Sequence, residues 1–409
     1  MDKAPLRLYY YGMDSRSVMF PRTLDLKLPK GQSAFLWGPR KTGKTTYLRE
    51  RFPKSRRYDL LETDLLLSLT KEPHRLREEI LLMGEEERSR PIIIDEIQKV
   101  PALLDEVHGL IERRGASFIL CGSSARKLKR GAANLLGGRA WRYQLFPLTR
   151  GEIPDFDLLR ALNSGLIPSH YLSEDSPRSL KAYVFDYLQE EIRAEGLTRN
   201  VPAFARFLDA LAFSGGELTN YANIARDCGV DAKTVKEYYQ ILVDTMLGYL
   251  IEPYAKRLGR DVITATPKFY WFDVGVPNIL SGESVRSLKG ADAGKRFENF
   301  ILMEIMAYRG YGGLDFDVNF WRTKTGLEVD FILGGEAAIE VKSGDRVDRT
   351  DMRGLRAFLE ARKVSRAIIV CNEARPRRVP AGGRAHIDVL PWKTFLDQLW
   401  SGKVISGLP

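Results

Sequence analysis

The chain has 409 residues, 44% hydrophobic and 28% charged, which is the balance of a folded globular protein and excludes a disordered one. Its length exceeds what one hydrophobic core usually supports and predicts three domains, and no apolar run reaches the roughly 20 residues that cross a bilayer. The formal net charge of +10 is unevenly placed, since residues 341–384 hold twelve Lys or Arg against five Asp or Glu.

Such a basic stretch suits a polyanion through phosphate contacts, and a solvated helix face is its plain alternative. The N-terminal residues carry no apolar segment ahead of a small-residue cleavage site, so the expected location is cytoplasmic. Cys121, Cys228 and Cys371 are few, odd in number and far apart, which argues against a disulfide framework or a cysteine-spaced zinc site.

In chain order, the first informative element is the apolar run Ser33 to Trp37, which reads as a buried strand. It leads into Gly38-Pro39-Arg40-Lys41-Thr42-Gly43-Lys44-Thr45, a match to G-x-x-x-x-G-K-[ST], and the residues from Lys44 and Thr46 onward can open a helix. In that context the glycines let backbone N–H groups wrap phosphates, Lys44 reaches the β- and γ-phosphates of ATP, and the Thr45 hydroxyl ligates Mg²⁺.

About fifty residues later, Ile92 to Ile94 form a second apolar strand that ends in Asp95 and Glu96. This is Walker B chemistry, with Asp95 holding Mg²⁺ through water and Glu96 orienting or deprotonating the attacking water. A third buried strand ends in Ser123 and Ser124, either of which is placed to sense the γ-phosphate. Arg139 then follows a Gly-Gly turn, where it can serve as a finger into a neighbouring subunit's site or simply sit on a surface turn.

Taken together, GPRKTGKTT, IIIDEIQKVP, ILCGSSARKL, LLGGRA and FPLTRGEI resemble the bacterial and archaeal AAA+ ATPase family that joins an AAA_14 core to a DUF4143 region. The resemblance covers nearly the whole chain. It implies a homo-oligomeric ring, often a hexamer, with each active site completed by an arginine of the next subunit.

Beyond residue 164 the apolar spacing turns to threes and fours, which predicts helices. Residues 216–254 suggest a winged helix-turn-helix, with Lys233, Thr234 and Lys236 on the helix that would face DNA; a lid packed on the ATPase core is the alternative. Residues 326–344 alternate as a hairpin around Gly334-Gly335, bringing Asp330, Glu340 and Lys342 to one face. With Glu298 on a preceding helix, this arrangement resembles the PD-(D/E)XK nuclease fold. That resemblance implies Asp330 and Glu340 as Mg²⁺ ligands, Lys342 beside the attacked phosphate and Glu298 as the accessory acid. The first motif lacks the proline of that name, and an exposed salt-bridged hairpin face is the simpler reading.

The expected protein is thus α/β, with a P-loop AAA+ ATPase core over 1–163, a helical winged-helix-like domain over 164–258, and a restriction-endonuclease-like α/β domain over 259–409. Its expected function is ATP-driven remodelling of DNA, duplex or branched such as a Holliday junction, with no membrane partner. The nuclease-like domain either cuts DNA or only binds it. The competing reading is an ATP-dependent signalling or defence switch whose C-terminal domain binds a protein.

Overall fold

The structure is a computed structural model that describes residues 20–124, 136–184, 200–254 and 266–406. The helical reading of residues 185–197 and the expected domain limit at residue 258 lie outside these residues, as do the residues just before the Gly-Gly turn that leads to Arg139.

The first sheet contains β1 (Ser33–Trp37), β2 (Arg57–Asp59), β3 (Ile92–Asp95), β4 (Phe118–Gly122) and β5 (Ala140–Gln144). All pairings are parallel and the order is β2-β3-β4-β1-β5. The continuous apolar runs of β1, β3 and β4 suit a sheet covered on both faces. Their side chains divide by strand alternation: Phe35, Ile92, Ile94, Phe118 and Leu120 enter one core, whereas Leu36, Ile93, Ile119 and Cys121 enter another. The first core is closed by α3 (His74–Leu82) and α4 (Leu103–Arg114), which follow α2 (Thr63–Lys71); the second is closed by α1 (Lys44–Arg51).

A helical stretch follows, including α5 (Leu158–Ser164), α6 (Val201–Ala212), α7 (Tyr221–Cys228) and α8 (Ala232–Asp244). Asn220 and Asp231 cap α7 and α8 by accepting from the backbone N–H of Asn223 and Thr234, and Gly229 turns between them in the left-handed conformation. The second sheet has the order β12-β13-β11-β10-β9-β8-β6-β7. Its strands are β6 (Gly248–Pro253), β7 (Lys268–Trp271), β8 (Val318–Arg322), β9 (Glu328–Leu333), β10 (Ala337–Val341), β11 (Arg366–Cys371), β12 (Arg377–Gly382) and β13 (Ala385–Pro391). The hairpin after α8 is therefore one edge of this sheet, through the parallel pairing of β6 with β8.

Helix α9 (Ala291–Gly312) and α11 (Trp392–Trp400) cover one face of this sheet with Phe297, Phe300, Phe395 and Leu396; α10 (Arg353–Ala361) covers the other with Leu355 and Phe358. β9 and β10 are thus buried on both sides, which overturns the reading of an exposed salt-bridged hairpin face. Strict alternation also fails in β9. Between the pairs Asn319–Ile332 and Trp321–Val329 the register moves by one, so Asp330 and Phe331 together oppose Phe320. Val329 and Phe331 consequently enter cores on opposite faces. No helix among the described residues is long and apolar enough to cross a membrane.

The approach of α10 to β9 depends on Gly354, where an added Cβ would overlap the Glu328 carbonyl oxygen. Gly354→Ala gains about 1 kcal/mol of helix propensity but meets backbone that cannot rotate away, and overpacking typically costs about 1–3 kcal/mol. The expected outcome is net destabilisation, read as a lower urea midpoint with an unchanged slope.

Candidate nucleotide site and carboxylate cluster

β1 ends where the chain must turn sharply, and a Cβ on Gly38 would come within 2.5 Å of the Leu145 carbonyl oxygen. The loop then passes through Lys41 and Gly43 at positive φ, 62° and 92°, and Gly43 leads into α1. Lys44 is buried, and its ammonium donates to the carbonyls of Gly38 at 2.6 Å and Pro39 at 3.0 Å. The Thr42 hydroxyl also donates to Pro39 O, at 2.8 Å. A lysine folded back onto carbonyls has weak acceptors to exchange for phosphate oxygens, so the loop is prepared for an anion. Thr45 Oγ1 donates to Asp95 Oδ2 at 2.6 Å. This hard-oxygen pair fits Mg²⁺ by donor chemistry. Arg40 is half-buried with its charge acting on Glu96, and Thr46 is exposed on α1.

The parallel order sets β4 between β1 and β3, so the C-terminal ends of all three strands open onto one place. Glu96 follows β3 in a left-handed conformation, with φ 57°. That backbone is unusual for a non-glycine residue and is found at functional sites. Its buried carboxylate accepts from the Gln98 amide and from Ser123 Oγ at 3.4 Å, and the Gln98 amide also donates to Ser123 Oγ at 3.1 Å. Burial holds the Glu96 carboxyl above its usual range, opposed chiefly by the Lys44 charge. A Cβ at Gly122 would overlap Gln98 Oε1, so that glycine makes room for the bridge. Gln98 lies inside the IIIDEIQKVP segment but has no expected role there; its one signal in the sequence is a polar residue two positions after Glu96. Ser124 is buried beside Ser123.

The structure does not bring Arg139 to this site. β5 starts alongside the N-terminal end of β1, where Ser33 N donates to Arg139 O at 3.4 Å. The P-loop lies at the other end of that five-residue strand, about 16 Å away. The Arg139 guanidinium instead pairs with Glu112 on the surface. Lys41 lies 5.8 Å from the centre of the Tyr183 ring. Burial and then the Lys41 charge lower His170 to about 4.

A residue with no motif holds the loop in place. Arg22 donates to Thr42 O at 2.7 Å, Phe146 O at 2.6 Å, Tyr311 Oη at 3.0 Å and Glu152 Oε1 at 3.2 Å. Arg22 and Glu152 side chains are 6% and 1% exposed, so the pair is desolvated. Glu152 also accepts from the backbone N–H of Thr23 at 2.6 Å and Thr149 at 3.0 Å. Tyr311 lies in α9, which links the P-loop directly to the helix that covers the second sheet.

The second polar cluster is built differently from its expected form. Glu298 and Asp330 meet around Lys268 of β7, whose ammonium lies 3.6 Å from Glu298 Oε1 and 3.9 Å from Asp330 Oδ1. Lys268 also pairs with Glu328. Tyr270 Oη donates to Glu298 at 2.5 Å, and the Val341 N–H donates to Asp330 Oδ2 at 2.8 Å. Glu340 is taken by its own neighbour Lys342, at 2.5 Å. Burial and then Asp330 raise Glu298 to about 7, and the same two causes push Glu340 well above the usual carboxylate range. Among the described residues, no three His, Cys, Asp or Glu side chains converge as a metal site. Of the residues expected to form the Mg²⁺ set, Glu298 and Asp330 thus face the Lys268 ammonium, and Glu340 faces Lys342. Lys268 carries little signal in the sequence, where it is one lysine opening a short apolar strand, K-F-Y-W.

The first site defines a P-loop nucleotide-binding domain of the ATPase class. Residues 30–154 match the family model described as an AAA domain, AAA_14. Residues 155–287 and 293–395 match two domains of unknown function, DUF8612 and DUF4143. The chain is 27% identical over 313 residues to an uncharacterized protein of Mycobacterium tuberculosis, covering 75% of this chain and 68% of that one. It is 25% identical over 259 residues to an uncharacterized protein of Haemophilus influenzae, covering 59% and 62%. Among solved structures, the Aeropyrum pernix ORC1 protein in complex with DNA aligns with a TM-score of 0.23 and 16% identity, over 61% of this chain and 86% of that one.

Replacing Arg22 by Met leaves Glu152 buried without its cation, a loss of about 3–5 kcal/mol for a pair of this kind. The double variant Arg22→Met with Glu152→Gln is expected to lose less than Arg22→Met alone, measured by denaturant unfolding.

Proposed function

We propose that this protein is an ATP-hydrolysing machine that acts on DNA as a homo-oligomeric ring. The observation that carries the ATPase reading is the convergence of Lys44, the Thr45–Asp95 pair and the Glu96–Gln98–Ser123 bridge on one sheet edge. ATP phosphates would lie over the loop N–H groups with Lys44 on the β- and γ-phosphates. Mg²⁺ held by Thr45 and, through water, Asp95 would neutralise developing charge. Glu96 would orient the attacking water, and Ser123 would report the γ-phosphate through Gln98.

Supporting the DNA reading are the capped helix pair α7 and α8 followed by the β6–β7 hairpin, the order of a winged helix-turn-helix. Lys233 and Lys236 are exposed on the first turns of α8, while Thr234 is spent on the Asp231 cap. The basic stretch supports it less strongly, since Arg377 and Arg378 are paired with Glu373 and Asp388. The order of strands β8 to β11 around α9 supports a PD-(D/E)XK-like fold for the C-terminal domain. A ring gains support from Arg139 only in that it is exposed and far from its own P-loop, a position open to a neighbouring subunit.

Lys44→Ala is expected to abolish hydrolysis, and Glu96→Gln to bind ATP but not turn it over. Equal loss of ATP affinity in both would refute that division of roles. DNA should stimulate hydrolysis with a steep salt dependence, and Lys233→Ala with Lys236→Ala should flatten it by about one unit of slope for each phosphate no longer neutralised. A rate indifferent to every DNA form tested removes DNA from the proposal.

For the ring, mixing Arg139→Ala with Glu96→Gln subunits is expected to restore part of the activity, because an intact site forms only where the two kinds of subunit meet. No recovery on mixing would return Arg139 to its surface pair with Glu112.

A further inference from the structure

We infer that Lys268 is the built-in cation of the carboxylate cluster, so that an ammonium of the chain itself, and not a divalent metal ion, joins β7, β9 and α9. The inference rests on this geometry and does not depend on whether the protein acts on DNA.

The ammonium is almost fully buried, 3% exposed, and Glu298, Glu328 and Asp330 come from two other elements to surround it. Two of the remaining oxygens of the cluster are also engaged, since Arg322 donates to Glu328 Oε2 at 2.8 Å and the Val341 N–H to Asp330 Oδ2, while Tyr270 Oη donates to the same Glu298 oxygen that faces Lys268. Below the ammonium, the Phe320 ring lies 5.6 Å away and offers its face to a cation.

Strand pairing fixes the Lys268 backbone opposite Ile251 of β6, so the ammonium enters the cluster from the sheet edge. A divalent ion sharing the same oxygens would sit against a fixed positive charge in a low-dielectric pocket, where repulsion is strong. The register shift at Asp330 completes the arrangement, since it lets Asp330 and Phe331 occupy one position opposite Phe320, the residue beneath the ammonium. Glu340, the other acidic group of the hairpin, has its own ammonium in Lys342. The consequence is that Glu298, Glu328 and Asp330 are neutralised by Lys268 and do not together hold a divalent ion.

The experiment compares Mn²⁺ binding to the nucleotide-free full-length protein and to Asp330→Asn, followed by the spectroscopic signal of free Mn²⁺. Any weak binding at Thr45 and Asp95 is common to both and cancels. Equal binding is the expected result; one additional Mn²⁺ on the wild type, lost in Asp330→Asn, would overturn the inference.

Thermal unfolding gives a second readout. Lys268→Met is expected to lower the melting temperature by roughly 5–10 °C with Mn²⁺ or EDTA making no difference to the wild type. A Lys268→Met protein as stable as the wild type would overturn the inference, and if that variant does not fold, the Asp330→Asn comparison decides alone.

Discussion

The buried pair of Arg22 and Glu152 is the constraint on which the rest of the arrangement depends. A desolvated guanidinium must find acceptors on all its edges, and here they come from the P-loop carbonyl of Thr42, the chain after β5 at Phe146, and Tyr311 of α9. Its partner Glu152 is oriented by two backbone N–H groups, so neither charge can drift. Three segments far apart in sequence are therefore held at one point. The loop that would receive phosphate cannot be displaced without disturbing the helix that covers the second sheet.

That helix gives the molecule its continuity. Tyr311 near the C-terminal end of α9 meets the ATPase side, and Glu298 thirteen residues earlier meets Lys268, a separation of about 20 Å along the helix axis. Between them, Glu304 accepts from the Arg150 N–H at 2.6 Å and the Trp400 indole at 2.8 Å, and burial raises its carboxyl to about 7. Gly310 keeps the approach close, since a Cβ there would come within 2.5 Å of the Phe146 ring. Each of these polar groups in α9 thus has its partner in a different part of the chain.

The two polar sites solve the same electrostatic problem in opposite ways. At the P-loop, the cation Lys44 rests on neutral carbonyls that a phosphate can replace, and the carboxylates Asp95 and Glu96 are held by a hydroxyl and an amide. Such contacts are exchangeable at low cost. In the C-terminal cluster, carboxylates are matched to ammonium groups within the protein, and exchange would strand a buried charge. The first arrangement suits a ligand that comes and goes; the second suits a fixed joint.

The nucleotide site is legible in the sequence because its parts are local: the G-x-x-x-x-G-K-T loop and the Asp-Glu after an apolar strand each lie within one short segment whose backbone geometry the residues themselves impose. Periodicity likewise determined β1, β3 and β4 and the helix pair α7–α8, since alternation and capping act between near neighbours. What only the tertiary structure decided depends on contacts across long separations. Arg22 reaches Tyr311 over 289 positions, and no local pattern marks either. The residues from 328 to 342 do form the hairpin that their pattern predicts, but its strict alternation is broken by a register shift set by β8, and Lys268 arrives from β7 beside Asp330. A strand's own sequence states which residues alternate; which neighbour shifts that alternation, and which charge is buried against it, is settled only when the sheet closes.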